Sequence, residues 1–243
     1  MSLLNVVIKL RDLILGVSKN QTLLHKSLEN DKEISFRIKE IKAMEVLKPY
    51  FPDSYLFETS YSISFQTLQH LANDIVVYRP KTILEIGSGL STIIINNLLK
   101  ELNYDVKFFS VDQDLGWQKT LSKTCDLVLF KHFDLINSNS FSFDGTGTWF
   151  DIPSNSELLS MKFDLILVDG PKGHESKFAR YGIVNFISDR LNPNSIMYID
   201  DTHREDEDLI VSDLVKRMDL KIVNRGYNYC RLSFVDNINT KPF

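Results

Sequence analysis

Acids and glycines recur at the ends of apolar runs in this chain, a spacing able to bind a nucleotide-like ligand and do acid–base chemistry beside it. In KTILEIGSGLST, residues 81–92, the apolar residues Ile83, Leu84 and Ile86 enclose the acid Glu85 and open into Gly87, Ser88 and Gly89. Glycines there let the backbone bend and approach a ligand closely, and Ser91 and Thr92 can cap the helix that follows. The free N–H groups of such a helix start are a natural seat for a nucleotide. Three later runs also end in acids: FFSVD at Asp112, FDLILVDGPK at Asp169 with Lys172 behind it, and SIMYIDDTH at Asp200 and Asp201 with His203 behind them. Ligands of open α/β sheets bind beyond the C-terminal ends of the strands, so these groups collect at one edge. Asp112 lies 23 residues beyond Gly89, where a nucleotide-binding α/β domain places an acid to accept from ribose hydroxyls. The plainer alternative is a strand-end acid that caps the next helix. His174 and His203 flank the same edge and could serve as a base, although a loop histidine is more often a surface residue. Trp117 is expected to pack its helix beside a nucleoside, while Trp149 either covers a substrate or anchors its loop.

The elements that must position these residues alternate from residue 80 onward as strand and helix, the pattern of a parallel α/β sheet. Strands are expected at 82–86, 107–111, 127–131, 163–168 and 195–199, with helices at 91–101, 115–123, 175–189 and 205–218. KIVNRGYNYCRLSFV reads as a closing hairpin that adds antiparallel strands to the sheet. Residues 132–160 are polar, contain glycines and are long for a connection, which predicts a functional lid or mobile segment. Upstream, residues 1–48 carry helical spacing in two or three helices, read as a cap. Pro49 and Pro52 punctuate the chain, and the aromatic segment 50–65 is expected to mark a boundary and line a site. The expected division is a helical cap over 1–60 and an α/β domain over 61–243.

At 243 residues, with 43% hydrophobic and 25% charged residues and a net charge of -4, the chain has the composition of a soluble globular protein. No basic stripe points to nucleic acid. The two cysteines, Cys125 and Cys230, have no metal-ligand spacing and form no disulfide framework, which fits a reducing, cytoplasmic setting. Lys9, Arg11 and Asp12 interrupt the apolar N-terminus, so it reads as an amphipathic helix and not as a membrane span. The apolar faces of these helices are compatible with a homodimer.

The ordered set ILEIGSGLST, VDQD, FDLILVDGP and MYIDD resembles the class I S-adenosylmethionine-dependent methyltransferase family over roughly residues 60 to 235. That resemblance implies a Rossmann-like, mostly parallel seven-stranded sheet with a terminal antiparallel hairpin and the N-terminal helical cap. It implies that Glu85, Gly87, Ser88, Gly89, Ser91 and Thr92 hold the methionine end of S-adenosyl-L-methionine and that Asp112 holds its ribose. His132, Phe133 and Asp134 are the nearest positions for adenine contacts. Within the family, the chain is most similar to the catechol-type metal-dependent O-methyltransferases, which carry an aspartate with a lysine three positions on, then an Asp-Asn pair. Asp169 and Lys172 match the first pair; Asp200 and Asp201 match the second, with Asp for Asn. The implied metal set is Asp169, Asp200 and Asp201, whose hard oxygens suit Mg²⁺, and the implied catalytic groups are Lys172, Asp169 and His203. Pro171 and the second acid depart from the pattern, and Asp201 could instead pair with Arg204. Asp200 or Asp201 could also cap the helix beginning near Glu205. DGPKGHESKFARYG and IDDTHREDE further resemble a group of uncharacterised methyltransferases in which Arg180 and Arg204 recur.

The expected activity is methylation of a hydroxyl on a small-molecule or glycan-like acceptor. The Pro-Pro-aromatic signature of amino methylation is absent after Asp169. Two other classes stand beside it. A nicotinamide-dependent oxidoreductase shares the fold logic, but Thr92 stands where a dinucleotide site has its third glycine. A non-catalytic interaction protein would bind the cofactor without turnover.

Overall fold

The computed structural model describes residues 3–53, 55–173, 176–235 and 238–242. His174, one of the two histidines weighed as a base, lies outside them. The chain divides into two units between Lys42 and Ala43. The first unit holds α1 (Leu3–Ile14) and most of α2 (Val17–Leu47). Among the described residues no helix is long and apolar enough to cross a membrane. The division falls well before the expected boundary at residue 60, because Ala43 and Leu47 are already buried in the core of the second unit.

In that second unit, α3 (Phe65–Tyr78) starts where the Ser64 side chain accepts from the Thr67 N–H as an N-cap. Then follow β1 (Thr82–Ile86), α4 (Leu90–Leu102), β2 (Lys107–Asp112), α5 (Leu115–Leu121) and β3 (Val128–His132). A two-stranded excursion, β4 (Leu135–Asn137) and β5 (Thr148–Phe150), precedes β6 (Phe163–Val168), α6 (Gly182–Ile187), β7 (Leu191–Ile199), α7 (Glu205–Met218), β8 (Lys221–Arg225) and β9 (Cys230–Ser233). The seven-stranded sheet has the order β3-β2-β1-β6-β7-β9-β8. β3, β2, β1, β6 and β7 run parallel, and β9 and β8 close the edge antiparallel.

Alternation along the central strands builds one core on each face of the sheet. Ile83, Phe108, Leu165 and Ile196 pack with α3 and α4 on one face. Their neighbours Leu84, Phe109, Ile166 and Met197 pack with α6 and α7 on the other. Strands buried on both faces read as continuous apolar runs, which is why the sequence places them well.

Two expectations need correction. Residues 132–160 are no open lid: β4 and β5 pair, Asn139 donates to the Phe150 carbonyl (2.9 Å), and Trp149 and Phe150 are fully buried. Trp149 therefore anchors the segment, against Gly182, where a Cβ would stand 2.1 Å from the indole. The helix expected over 175–189 shrinks to a 3₁₀ turn, Ala179–Tyr181, and the six residues of α6. Phe178, at φ 55°, is left-handed and blocks a longer helix.

A buried polar network ties α3 to β7 and β9. Asp74 pairs with Arg231 of β9 (2.6 Å) and accepts from Tyr198 of β7 (2.8 Å) and from Thr240 in the C-terminal tail. His70 shares a hydrogen bond with Tyr229 (2.7 Å), and burial, with Arg231 and Lys241 nearby, pushes its pKa down to about 3. Removing one member strands an opposite charge in the core. Asp74→Ala is expected to lose about 3 kcal/mol of stability in urea unfolding; a loss below about 1 kcal/mol would show the network to be incidental.

Candidate active site

The β1–α4 turn is shaped by two glycines from different strands. Gly87, at φ 99°, would place a Cβ 2.9 Å from the Asp169 carbonyl carbon and oxygen. Gly170 would place one 2.9 Å from the Gly87 Cα. Only residues without a Cβ allow the ends of β1 and β6 to touch this way, and Asp169 N–H donating to the Ile86 carbonyl (2.8 Å) secures the contact. Glu85, fully buried, braces the turn from beneath. Its oxygens accept from Ser91 (2.5 Å), Thr92 (2.6 Å) and Ser110 (2.5 Å), and Thr92 Oγ1 accepts from the Gly89 N–H (2.8 Å). Glu85 and Thr92 thus lie under the loop, whereas Gly87, Ser88, Gly89 and Ser91 line a cavity of about 310 Å³ above it.

Asp112 lies on the wall of that cavity. It accepts from the Ser88 N–H (2.8 Å) and the Asp114 N–H (2.7 Å), locking the turn to the end of β2. Burial raises its pKa, against the pull of those backbone donors. Asp114, not Asp112, caps α5, through the Trp117 N–H. Trp117 itself donates from Nε1 to the Ser88 carbonyl (2.8 Å) and faces Phe57, ring centres 5.5 Å apart. Phe57, Thr59, Tyr61, Ser62 and Ile63 form the opposite wall. Asp134 is elsewhere: its side chain is 85% exposed and outside the lining. His132 bonds the Gln113 carbonyl (3.1 Å) and is likewise outside the lining.

A second cavity, about 350 Å³, adjoins the first; Tyr61, Ser62, Asp169 and Lys172 line both. Its floor is an acid cluster. One carboxylate oxygen from each of Asp169, Asp200 and Asp201 lies within 4.8 Å of the others. Arg180, 4% exposed, reaches into the cluster from the 3₁₀ turn before α6. It contacts Asp169 Oδ1 (3.3 Å), Asp201 Oδ2 (3.1 Å) and, more distantly, Glu207 (3.8 Å). Arg204 pairs with the same Asp201 oxygen (2.9 Å), the pairing weighed from sequence. The capping alternative for the aspartates fails, because Arg204 is the N-cap of α7 and no side chain caps it. Four acids in the first turn meet the helix dipole instead. Asp201 is left-handed, φ 61°, an uncommon conformation for a side chain pinned by two arginines.

Four carboxylates, Asp169, Asp200, Asp201 and Glu207, share the guanidiniums of Arg180 and Arg204, and Lys172 lies on the lining of the same cavity. Burial and the neighbouring carboxylates raise Asp200 well above its usual value, and burial lifts Asp169 to about 7 despite Arg180. Asp200 is 5% exposed, and its buried Oδ1 has no hydrogen-bond partner among the described residues. An orphaned carboxylate oxygen and three converging acids fit a divalent cation, which would favour their ionised forms. Lys172, exposed at the rim, places Nζ 4.9 Å from the Tyr61 ring centre. His203 is exposed and outside both linings.

Gly170 as the partner of Gly87, Ser110 beneath the loop and Arg180 inside the acid cluster are functional positions that residue order does not single out. Glycine directly after a strand-end acid was the available signal for the first. The other two depend on how the chain folds back.

No family model matches the chain, and no curated protein does. Solved structures do. A putative caffeoyl-CoA O-methyltransferase from Staphylococcus aureus aligns over 88% of this chain and 99% of its own, with a TM-score of 0.51 and 13% identity. An SAH-bound methyltransferase from Podospora anserina covers 82% and 88%, with a TM-score of 0.49 and 17% identity. The O-methyltransferase TomG from Streptomyces achromogenes, solved in complex with SAM, covers 83% and 89%, with a TM-score of 0.44 and 16% identity. The chain thus shares a Rossmann-like fold with the putative O-methyltransferase from Staphylococcus aureus.

The buried Glu85 gives the site a measurable signature. Its pKa rises from 4.5 to about 7, chiefly by burial, with the three hydroxyls opposing and Asp169 adding. Below 4.5 both folded and unfolded chains hold the proton. Between there and about 7 the unfolded chain ionises first, so stability falls as pH rises, by about 3 kcal/mol in all. Urea titrations from pH 5 to 8 should show wild type losing stability relative to Glu85→Gln; a difference independent of pH contradicts this assignment.

Proposed function

We propose that this chain transfers a methyl group from S-adenosyl-L-methionine to a hydroxyl of a small-molecule or glycan-like acceptor, at a site that holds a divalent cation such as Mg²⁺. The observation that carries the reading is the shared wall: Asp169 and Lys172 line both the glycine-turn cavity and the acidic one. A donor in the first and an acceptor in the second would meet across that wall. The fold shared with the Staphylococcus aureus protein supports it.

In this reading Gly87, Ser88, Gly89 and Ser91 receive the amino-acid end of the donor. Asp112 accepts from the ribose hydroxyls, and Trp117 and Phe57 flank the nucleoside. Glu85 and Thr92 act from below, holding the turn that the donor rests on. The donor's sulfonium supplies an electrophilic methyl group, and a cation among Asp169, Asp200 and Asp201 would acidify a bound hydroxyl. As the acceptor oxygen takes the methyl group its proton must leave. Lys172, at the junction of the cavities, is the base assigned here, with Asp169 beside it. Tyr61 and Ser62 close the site from the 50–65 segment, and much of the rate would come from holding oxygen and methyl carbon in line.

S-adenosylhomocysteine is expected to raise the melting temperature while NAD leaves it unchanged; the reverse would establish the oxidoreductase alternative. Asp112→Ala should weaken S-adenosylhomocysteine binding about tenfold or more, a loss of about 1.4 kcal/mol. EDTA or Asp200→Ala should abolish turnover and spare donor binding, and full activity in chelator would remove the cation from the account.

A further inference from the structure

We propose that Arg180 is a positioning residue that sets which cation the acid cluster accepts, favouring a small ion that retains its own waters, such as Mg²⁺, over Ca²⁺. The inference rests on the cation reading above. The guanidinium is seated by backbone as well as by charge. Nε donates to the Pro171 carbonyl (3.1 Å), Nη1 to the Asp200 carbonyl (3.4 Å) and Nη2 to the Asp169 carbonyl (3.3 Å). Those three carbonyls belong to the segments that follow β6 and β7, so the fork is fixed by the same turns that present the aspartates.

From this seat Nη2 engages one oxygen of Asp169 and one of Asp201. Two of the three carboxylates that converge on the site therefore have one oxygen committed and the other, among the described residues, uncommitted. The third, Asp200, makes no contact with Arg180 through its carboxylate, and its buried Oδ1 has no hydrogen-bond partner among the described residues. Ca²⁺ fills six to eight oxygen positions and often takes both oxygens of a carboxylate, whereas Mg²⁺ demands a near-octahedral six and keeps several waters. A cluster restricted to single oxygens serves the second ion better. Arg204 cannot impose the same restriction, because it is half-exposed and contacts only the Asp201 oxygen that Arg180 already holds, with Glu207 at 3.9 Å.

Arg180→Lys keeps the charge but loses the planar fork. Calorimetric titration of the full chain with Mg²⁺ and with Ca²⁺ gives the two dissociation constants and their ratio. Wild type is expected to prefer Mg²⁺, and R180K to shift the ratio about tenfold toward Ca²⁺. Arg204→Ala is expected to change both affinities in parallel and leave the ratio unchanged. A merely structural arginine would not move a ratio between two ions of equal charge. An unshifted ratio in R180K, or a wild type that prefers Ca²⁺, overturns the role of Arg180 while the cation site stands. Failure of the wild type to bind either ion overturns the cation reading itself. Should R180K not fold, Arg180→Gln, which keeps a planar amide donor but loses the fork, is titrated in its place, and an unshifted ratio there overturns the role.

Discussion

The contact between Gly87 and Gly170 is the constraint on which the site depends. Two backbone segments from neighbouring parallel strands meet where a single Cβ on either would collide with the other. The approach lets the turn after β1 rest against the turn after β6, and it leaves Asp169 on the wall of both cavities. Glu85 makes the arrangement rigid by drawing hydroxyls from α4 and β2 together under the loop. A carboxyl buried this way is an expensive support. Its presence beneath a glycine turn is understandable if the turn must hold its shape before a ligand arrives.

The second cavity is governed by charge. Arg180 and Arg204 both engage Asp201, and among the described residues Asp200 keeps a buried oxygen without a partner. A buried network that satisfies itself is structural, as the Asp74–Arg231 pair between α3 and β9 is. The incomplete one is where a ligand is called for.

Much of this was legible from residue order. Ile83 to Ile86 and Phe163 to Val168 are apolar on both faces because the strands are buried on both, and the strand-end rule then gathers Asp112, Asp169 and Asp200 at one edge. What was not legible came from short or folded-back pieces. β4 and β5 are three residues each, too short for periodicity to register, so a packed excursion around Trp149 read as a lid. Arg180 sits in a turn 11 residues beyond Asp169, and nothing in that spacing tells that the turn doubles back into the cluster. The 50–65 segment contributes Phe57, Tyr61 and Ser62 to the cavity walls, while the division of the chain lies earlier, where α2 begins to bury Ala43 and Leu47.

The central claim is that a methyl donor and a cation occupy adjoining cavities that share a wall including Asp169 and Lys172. Paramagnetic broadening tests it directly: S-adenosylmethionine labelled with ¹³C at its methyl group is bound to the protein, and Mn²⁺ is added. The account predicts strong broadening of the methyl signal that Asp200→Ala removes without releasing the donor. A bound donor whose methyl signal stays sharp with Mn²⁺ also bound would contradict it.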